Sequence, residues 1–259
     1  MNAFASLRQA GTDFLTAIQF LTRIPVPSDA HDVNSLARAV KFFPFVGLVV
    51  GALAALLYGV LTPHLPRIVA ALCVVIFLVC IAGCLHEDGL ADTTDAFGGG
   101  WNREQILLIL RDSRIGSYGA AALALSLLAR VFLLSSLPVA HMAQYLIAAH
   151  VLCRWTTLPL SYYLGPARAA SENGVEGQGA RIAKLTTRAS LIAGTLFAFA
   201  VVIAGLRSRA AAPIISAVAI TLMSALYYLR RIGGVTGDCF GATNQLTEIA
   251  VYFCGVWNA

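Results

Sequence analysis

Apolar residues in this chain come in long runs. The runs at 45–62, 67–85, 118–137, 142–163, 189–206 and 211–229 are each close to the ~20 residues a helix needs to span a bilayer. A seventh run covers 239–257. Pro63 with Pro66, Pro138, and Gly165 with Pro166 stand at run ends, where a helix has to stop. The first 24 residues differ: Arg8, Asp13 and Arg23 interrupt them, while Phe4, Leu7, Phe14, Ile18 and Leu21 recur at helical spacing. That pattern predicts an amphipathic helix lying in the membrane interface and not a signal peptide, which needs an unbroken apolar core. The expected fold is all-α. It is a polytopic bundle of six or seven transmembrane helices behind the interfacial helix, one domain over 1–259 without internal repeats.

Composition agrees with this pattern. Of 259 residues, 58% are hydrophobic and 12% charged, and the mean hydropathy is +0.77, against roughly 45–50% apolar and 25% charged in soluble domains. The net charge of +5 points to orientation in a bilayer and excludes nucleic-acid binding as the expected role. With the N-terminus placed inside, thirteen of the 18 basic residues fall on the inner side, and Arg67, Arg207 and Arg209 alone fall outside. Arg130 and Arg154 lie within spans. All 13 acidic residues also fall on the inner side or at its boundary, so chemistry is expected at the cytoplasmic face. Five of the six cysteines sit in or beside apolar runs, which speaks for buried small side chains and against a disulfide frame. Cys80, Cys84 and His86 are too few for a zinc site.

The densest polar chemistry is His86-Glu87-Asp88-Gly89-Leu90-Ala91-Asp92-Thr93-Thr94-Asp95. On a helix Asp88, Asp92 and Asp95 fall at about 0°, 40° and −20°, one shared face. Three carboxylates so close repel unless a cation neutralises them, and hard oxygen donors select Mg²⁺, Mn²⁺ or Ca²⁺. Arg111 and Arg114 follow, three apart, suited to phosphate. Arg168, Arg181, Lys184 and Arg188 either hold phosphates or orient the fold. Gly233-Gly234-Val235-Thr236-Gly237-Asp238 reads as a glycine-rich turn opening a helix whose free amides attract anions, and Asp238, Gln245 and Glu248 continue along one helical side, with Asp238 a further candidate ligand and Glu248 a supporting group. Arg130 and Arg154 need partners, because an unpaired charge inside a bilayer is expensive. Arg154 lies roughly 14 Å from the inner end of its run, within reach of a cavity below the carboxylates.

These residues suggest transfer of a phosphorus group onto an alcohol. The segments Phe20-Leu21-Thr22-Arg23-Ile24-Pro25-Val26-Pro27, Phe42-Phe43-Pro44-Phe45-Val46-Gly47, His86 to Asp95, Arg111 to Gly119, and Thr236-Gly237-Asp238 with Gly241-Ala242 and Glu248 together resemble the adenosylcobinamide-GDP ribazoletransferase (cobalamin synthase) family over nearly the whole chain. Departures are Ala96, where the family often has Gly, and a lengthened segment at 167–177.

The resemblance implies an enzyme of the bacterial inner membrane that moves the phosphocobinamide group of adenosylcobinamide-GDP onto α-ribazole or its 5′-phosphate and releases GMP, with Mg²⁺ as cofactor. A homo-oligomer is compatible with it. On this reading Asp88, Asp92, Asp95 and Asp238 hold metal, Arg111 and Arg114 take charge on the leaving GMP, and His86 or a carboxylate accepts the hydroxyl proton. Arg154, Arg168, Lys184, Thr236, Gly237, Asn244 and Glu248 contact substrate.

Two other classes are weaker matches. A CDP-alcohol phosphotransferase shares Asp-Gly-x-x-Ala, but Asp92 stands where that class has Arg and its second acidic half is missing. A cation transporter would place acids within spans.

Overall fold

The computed structural model describes residues 3–27, 35–168 and 178–257. The chain opens with α1 (Ala3–Leu21) and α2 (Ser35–Ala39), followed by a 3-10 turn (Val40–Phe42) and α3 (Phe43–Leu61). Next come α4 (Arg67–Ala82), α5 (Leu85–Gly99), α6 (Arg103–Ile109), α7 (Ser117–Ser136), α8 (Met142–Trp155), α9 (Thr157–Tyr163) and α10 (Gln178–Leu185). The fold ends with α11 (Arg188–Leu206), α12 (Ala211–Ile232) and α13 (Gly237–Trp257). Among the described residues there is no strand, only an isolated bridge between Pro166 and Val235.

This is an all-α polytopic membrane protein. Ser35–Leu61, Ser117–Ser136, Arg188–Arg209 and Ala211–Ile232 are long and apolar enough to cross a bilayer, and Arg67–Ala82 with Leu85–Gly99 adds a fifth if that bent pair is one broken span. The sequence runs predict six or seven, and the difference has local causes. Run 142–163 divides at Thr156 into α8 and α9, because Pro159 lacks the N–H that would reach the Trp155 carbonyl and its ring crowds that carbonyl. α8 alone is about 21 Å long, short of the ~30 Å hydrocarbon core. α13 is long enough but buries Thr243, Asn244, Gln245, Thr247 and Glu248. It is the polar central helix of the bundle, packed by α5, α7, α8 and α12.

Packing follows lipid logic. Leu56, Leu125, Leu196 and Ile215 stand exposed on α3, α7, α11 and α12, where lipid is as good a solvent as core. Small residues face inward. A side chain on Gly47 would run into the His150 carbonyl, and one on Gly51 would lie 2.8 Å from the Ile147 Cα, so two glycines four apart let α3 and α8 approach closely.

Outside the spans, Asp13 of α1 is buried against Arg38 (3.1 Å) and Lys41 (3.3 Å). The Phe14 ring meets Phe42 and Phe45 edge-on. The expected amphipathic N-terminal helix is therefore present and lies against α2 and α3.

An 87° bend separates α4 from α5. Gly83 (φ 62°) and Cys84 (φ 60°) are both left-handed. The Gly83 and Cys84 amides return to the Cys80 and Val79 carbonyls, which satisfies helix-end acceptors as in a Schellman turn. α5, carrying Glu87, Asp88, Asp92 and Asp95, is no span by itself.

Beyond the bend α5 crosses α13 at Gly89. A Cβ there would lie 2.8 Å from the Asp238 carbonyl and 3.0 Å from the Gly241 Cα, and one on Gly241 would lie 3.1 Å from the Gly89 Cα. The crossing is backbone on backbone. Gly89→Ala is expected to cost about 1–3 kcal/mol by overpacking, although Ala favours a helix by about 1 kcal/mol. Gly59→Ala, where nothing lies within 4 Å, is expected to be neutral or stabilising. Thermal unfolding of the two variants in one detergent checks the pair.

Candidate active site

The Gly89–Gly241 contact brings the acidic face of α5 beside the first turn of α13. Asp92 is half-buried, and its carboxyl is pushed from 3.8 to about 6, chiefly by burial and then by the like charges of Asp88, Asp238 and Asp95. Asp238 is held from its own turn: the Thr236 hydroxyl donates to its Oδ2 at 3.2 Å. The loop before α13 is fixed in turn, since the Val235 amide donates to the Gly165 carbonyl and the Ala167 amide to the Val235 carbonyl. That pairing sets Arg168 within the field of Asp238, Asp92 and Arg111. Nε and Nη2 of Arg168 are buried without a hydrogen-bond partner among the described residues.

Beneath this surface lies a buried ionic network. Arg130 of α7 donates to Glu87 of α5 (2.7 Å) and to Glu248 of α13 (2.9 Å). Gln245 accepts from Arg130 (3.3 Å) and from the Ser126 hydroxyl (3.0 Å), and donates to Glu87 (3.3 Å). Beside it the Tyr252 hydroxyl meets Nε2 of His150 at 3.2 Å, and Arg154 reaches Nδ1 of the same ring at 3.1 Å.

Between the network and the surface is a cavity of about 150 Å³. Its polar lining is His86, Asp88, Arg154, Thr157, Asp238 and Asn244; Phe20, Phe43, Ile182 and Phe240 supply much of the rest. Phe20, Leu85 and Asp88 also line an adjoining groove of about 810 Å³ bounded by α1, α2 and the α4–α5 turn.

Several expected site residues are differently employed. Asp95, expected as a metal ligand, accepts from the Gly116 amide (2.7 Å) and the Gly119 amide (2.8 Å). Both oxygens thus cap the first turn of α7, whose free amides attract a carboxylate. Glu248, expected near substrate, is 2% exposed and bound to Arg130. Arg114 is exposed and doubly paired to Asp112, whose carboxyl these bonds lower to about 2. Arg111 and Lys184 are exposed. Gly237 lines the cavity. The lengthened segment lies, for 169–177, outside the described residues.

The sequence pattern did not single out Glu87, His150 or Gln245 as partners of the buried arginines. Only the demand that Arg130 and Arg154 find partners pointed toward them. The six cysteines are free thiols.

The chain matches the family model for cobalamin-5-phosphate synthase over residues 13–256. It belongs to that family. It is 43% identical over 248 residues to the adenosylcobinamide-GDP ribazoletransferase of Azorhizobium caulinodans, covering 92% of each chain. Against the enzymes of the same name from Ralstonia nicotianae and Shewanella woodyi it is 37% and 36% identical, covering 95% of this chain in both cases and 95% and 96% of theirs. No solved structure matches the chain.

The matched region of this cobalamin-5-phosphate synthase family member contains both the acidic face and the cavity, and the face makes a testable demand on stability. Asp92 titrates higher in the folded protein than in the unfolded chain, so its protonated form favours folding. That contribution is complete below about pH 4 and is lost as pH rises through about 6. Without divalent metal, Asp92→Asn is therefore expected to raise the unfolding temperature at pH 7.5 and to leave it nearly unchanged at about pH 3.5. Unfolding followed by intrinsic fluorescence in EDTA at the two pH values measures this.

Proposed function

We propose that this protein transfers the phosphocobinamide group of adenosylcobinamide-GDP to α-ribazole or its 5′-phosphate, with release of GMP. The observation that carries the reading is the junction of Asp88 and Asp92 with Asp238 across the Gly89–Gly241 contact, next to Arg168 and above a polar cavity. Family membership over 13–256 supports it. An acceptor hydroxyl oxygen forms a bond to the cobinamide-side phosphorus, the bond from that phosphorus to the GMP oxygen breaks, and the hydroxyl proton passes to a base at the site. His86 or Asp92 serves as that base; a loose transition state asks little basicity of either. Arg168 and Arg111 attract the phosphates of the donor.

The donor set is oxygen-only and crowded with like charge, which suits Mg²⁺ held by Asp88, Asp92 and Asp238. Among the described residues no three His, Cys, Asp or Glu side chains converge closely enough to hold an ion by themselves. Asp88, Asp92 and Asp238 would therefore hold Mg²⁺ only together with oxygen donors brought by the substrate or solvent. Mg²⁺ bound there supplies neutralisation of diphosphate charge toward the incoming hydroxyl. Asp95 acts through α7, fixing where that helix begins.

The excess of basic residues on one side supports a bacterial inner-membrane location with this end facing the cytoplasm. Arg103 and Arg231 of that excess also have structural duties, donating to the Ile232 and Ala167 carbonyls and to the Gly100 carbonyl.

The test is GMP release by detergent-purified protein given adenosylcobinamide-GDP and α-ribazole 5′-phosphate, with Mg²⁺ or with EDTA. Release with matching corrinoid product, stopped by EDTA and restored by Mg²⁺, is expected. Asp92→Ala is expected to lose roughly 100-fold or more in kcat/KM while keeping a cooperative unfolding transition. Near-normal turnover by folded Asp92→Ala would remove the carboxylate assignment.

A further inference from the structure

α7 and α12 both pack on α13 but hardly on one another. Between them lies a cleft of about 930 Å³, with α13 as its floor and the back of α5 as its end. Leu125, Met223 and Leu226 on its rims are exposed, so it opens toward lipid. Ala242, Leu246 and Ile249 line the floor at i, i+4, i+7, and Leu246 is 46% exposed although α13 is the central helix of the bundle. Leu90, Thr93, Thr94 and Phe97 of α5 line the cleft; on a helix they stand about 140–240° from Asp88, so the acids turn the other way. The walls run along α7 from Tyr118 to Ala129 and along α12 from Met223 to Arg230. At 1.5 Å per residue the cleft is about 10–16 Å deep, roughly half of the ~30 Å hydrocarbon core. Farther from the candidate active site the end of α7 closes onto α13, where a side chain on Gly255 would run into Leu137 and Tyr145.

Two polar residues of this lining lack partners among the described residues. Arg230, the charged residue of the cleft, is exposed and has neither an ion pair nor a hydrogen bond, and no carboxylate lines the space. Thr93 is 8% exposed and its Oγ1 is buried without a partner, although the neighbouring Thr94 hydroxyl donates to the Leu90 carbonyl at 2.6 Å. A hydroxyl so placed costs free energy until an acceptor arrives. We propose that the cleft binds an anionic glycerophospholipid from the leaflet nearest the candidate active site. One acyl chain lies along Ala242, Leu246 and Ile249, the phosphate pairs with Arg230, and an ester oxygen accepts from Thr93. Depth decides against a second copy of this chain, since a spanning helix is about twice as long as the cleft. Charge decides the headgroup: a zwitterionic lipid brings its own cation, whereas an anionic one answers Arg230. Tyr118 and Tyr227 also line the cleft, and such amphipathic rings favour the headgroup level. The lipid completes the packing of α5 on the face opposite its acids, and the site does not depend on the reaction proposed above.

The test uses delipidated protein in detergent, without substrate. Unfolding temperature is measured for the wild type, Arg230→Gln, Ala122→Phe and Arg209→Gln with added phosphatidylglycerol or phosphatidylcholine of the same acyl chains. Phosphatidylglycerol is expected to raise the wild-type value by about 5 °C, and phosphatidylcholine by less. Arg230→Gln is expected to weaken phosphatidylglycerol binding about fivefold, to the level of phosphatidylcholine, the worth of one arginine near anionic lipid. Ala122→Phe fills the cleft from its α7 wall and is expected to lose the response to both lipids while keeping a cooperative transition. Arg209→Gln, exposed just before α12 at the opposite membrane face, controls for net charge and is expected to behave as the wild type. Native mass spectrometry counts the phosphatidylglycerol retained, with about one per wild-type chain expected and none on Ala122→Phe.

An unchanged preference for phosphatidylglycerol in Arg230→Gln, or an equal loss in Arg209→Gln, overturns the site, since the attraction is then one of overall charge. A full response to both lipids in Ala122→Phe does the same. A dimer that carries no lipid and that Ala122→Phe dissociates overturns it in favour of a second copy of this chain in the cleft.

Discussion

A guanidinium within an apolar helix has to be neutralised by protein, and Arg130 imposes that condition on the whole arrangement. Its two carboxylates come from α5 and α13, Glu87 and Glu248 standing 161 residues apart in the chain. Removing one carboxylate would leave uncompensated charge where no water reaches, a change worth about 3–5 kcal/mol for a buried pair. The network therefore fixes both the rotation of α5 and the depth of α13. Asp88 follows Glu87 directly, so the rotation that turns Glu87 toward Arg130 also decides where Asp88 points.

The glycines make that condition achievable. Without the left-handed pair at Gly83 and Cys84, α4 would continue outward and carry the acidic segment away from the bundle. Without Gly89 and Gly241, α5 and α13 would be held apart by side chains, and Glu87 and Glu248 would not both reach one guanidinium. Each device is small in energy, about 1–2 kcal/mol for a left-handed residue other than glycine. Together they divide a stretch of four acids, which would repel as a free helix, among separate partners: Glu87 goes to Arg130, Asp95 to the amides of α7, and Asp88 and Asp92 are left beside Asp238.

Much of this is legible in the chain because bilayer thickness leaves its mark on run length. The apolar runs at 45–62, 118–137, 189–206 and 211–229 become α3, α7, α11 and α12 within a few residues, and helical spacing places Asp88, Asp92 and Asp95 on one continuous helix. Less legible is anything settled by a distant partner. The i, i+7 spacing aligns Asp95 with its neighbours, yet the free amides of α7 claim it. Glu248 lies on the side of α13 that Asp238 and Gln245 suggest, but ten residues of helix carry it about 15 Å inward, past the cavity and into the reach of Arg130. The division at Thr156 was available locally, since Pro159 lies inside the run. Continuous hydrophobicity masks it, because a bilayer span tolerates proline where neighbours satisfy the freed carbonyl.

Arg130 and Arg154 look alike in the sequence: each is a lone cation in a run without acids. The tertiary arrangement separates them. Among the described residues, the helix crossing that supplies Arg130 with two carboxylates brings to Arg154 a histidine, a cysteine and a cavity that Asp88 and Asp238 also line. A fold that can assemble a three-helix ionic network around one arginine has the means to neutralise another, and neutral residues of similar volume would have packed the space at less cost. Stability does not account for a cation kept in such surroundings. Asp88 and Asp238 line the same cavity as Arg154, so its charge is answered across that space and not by a direct contact.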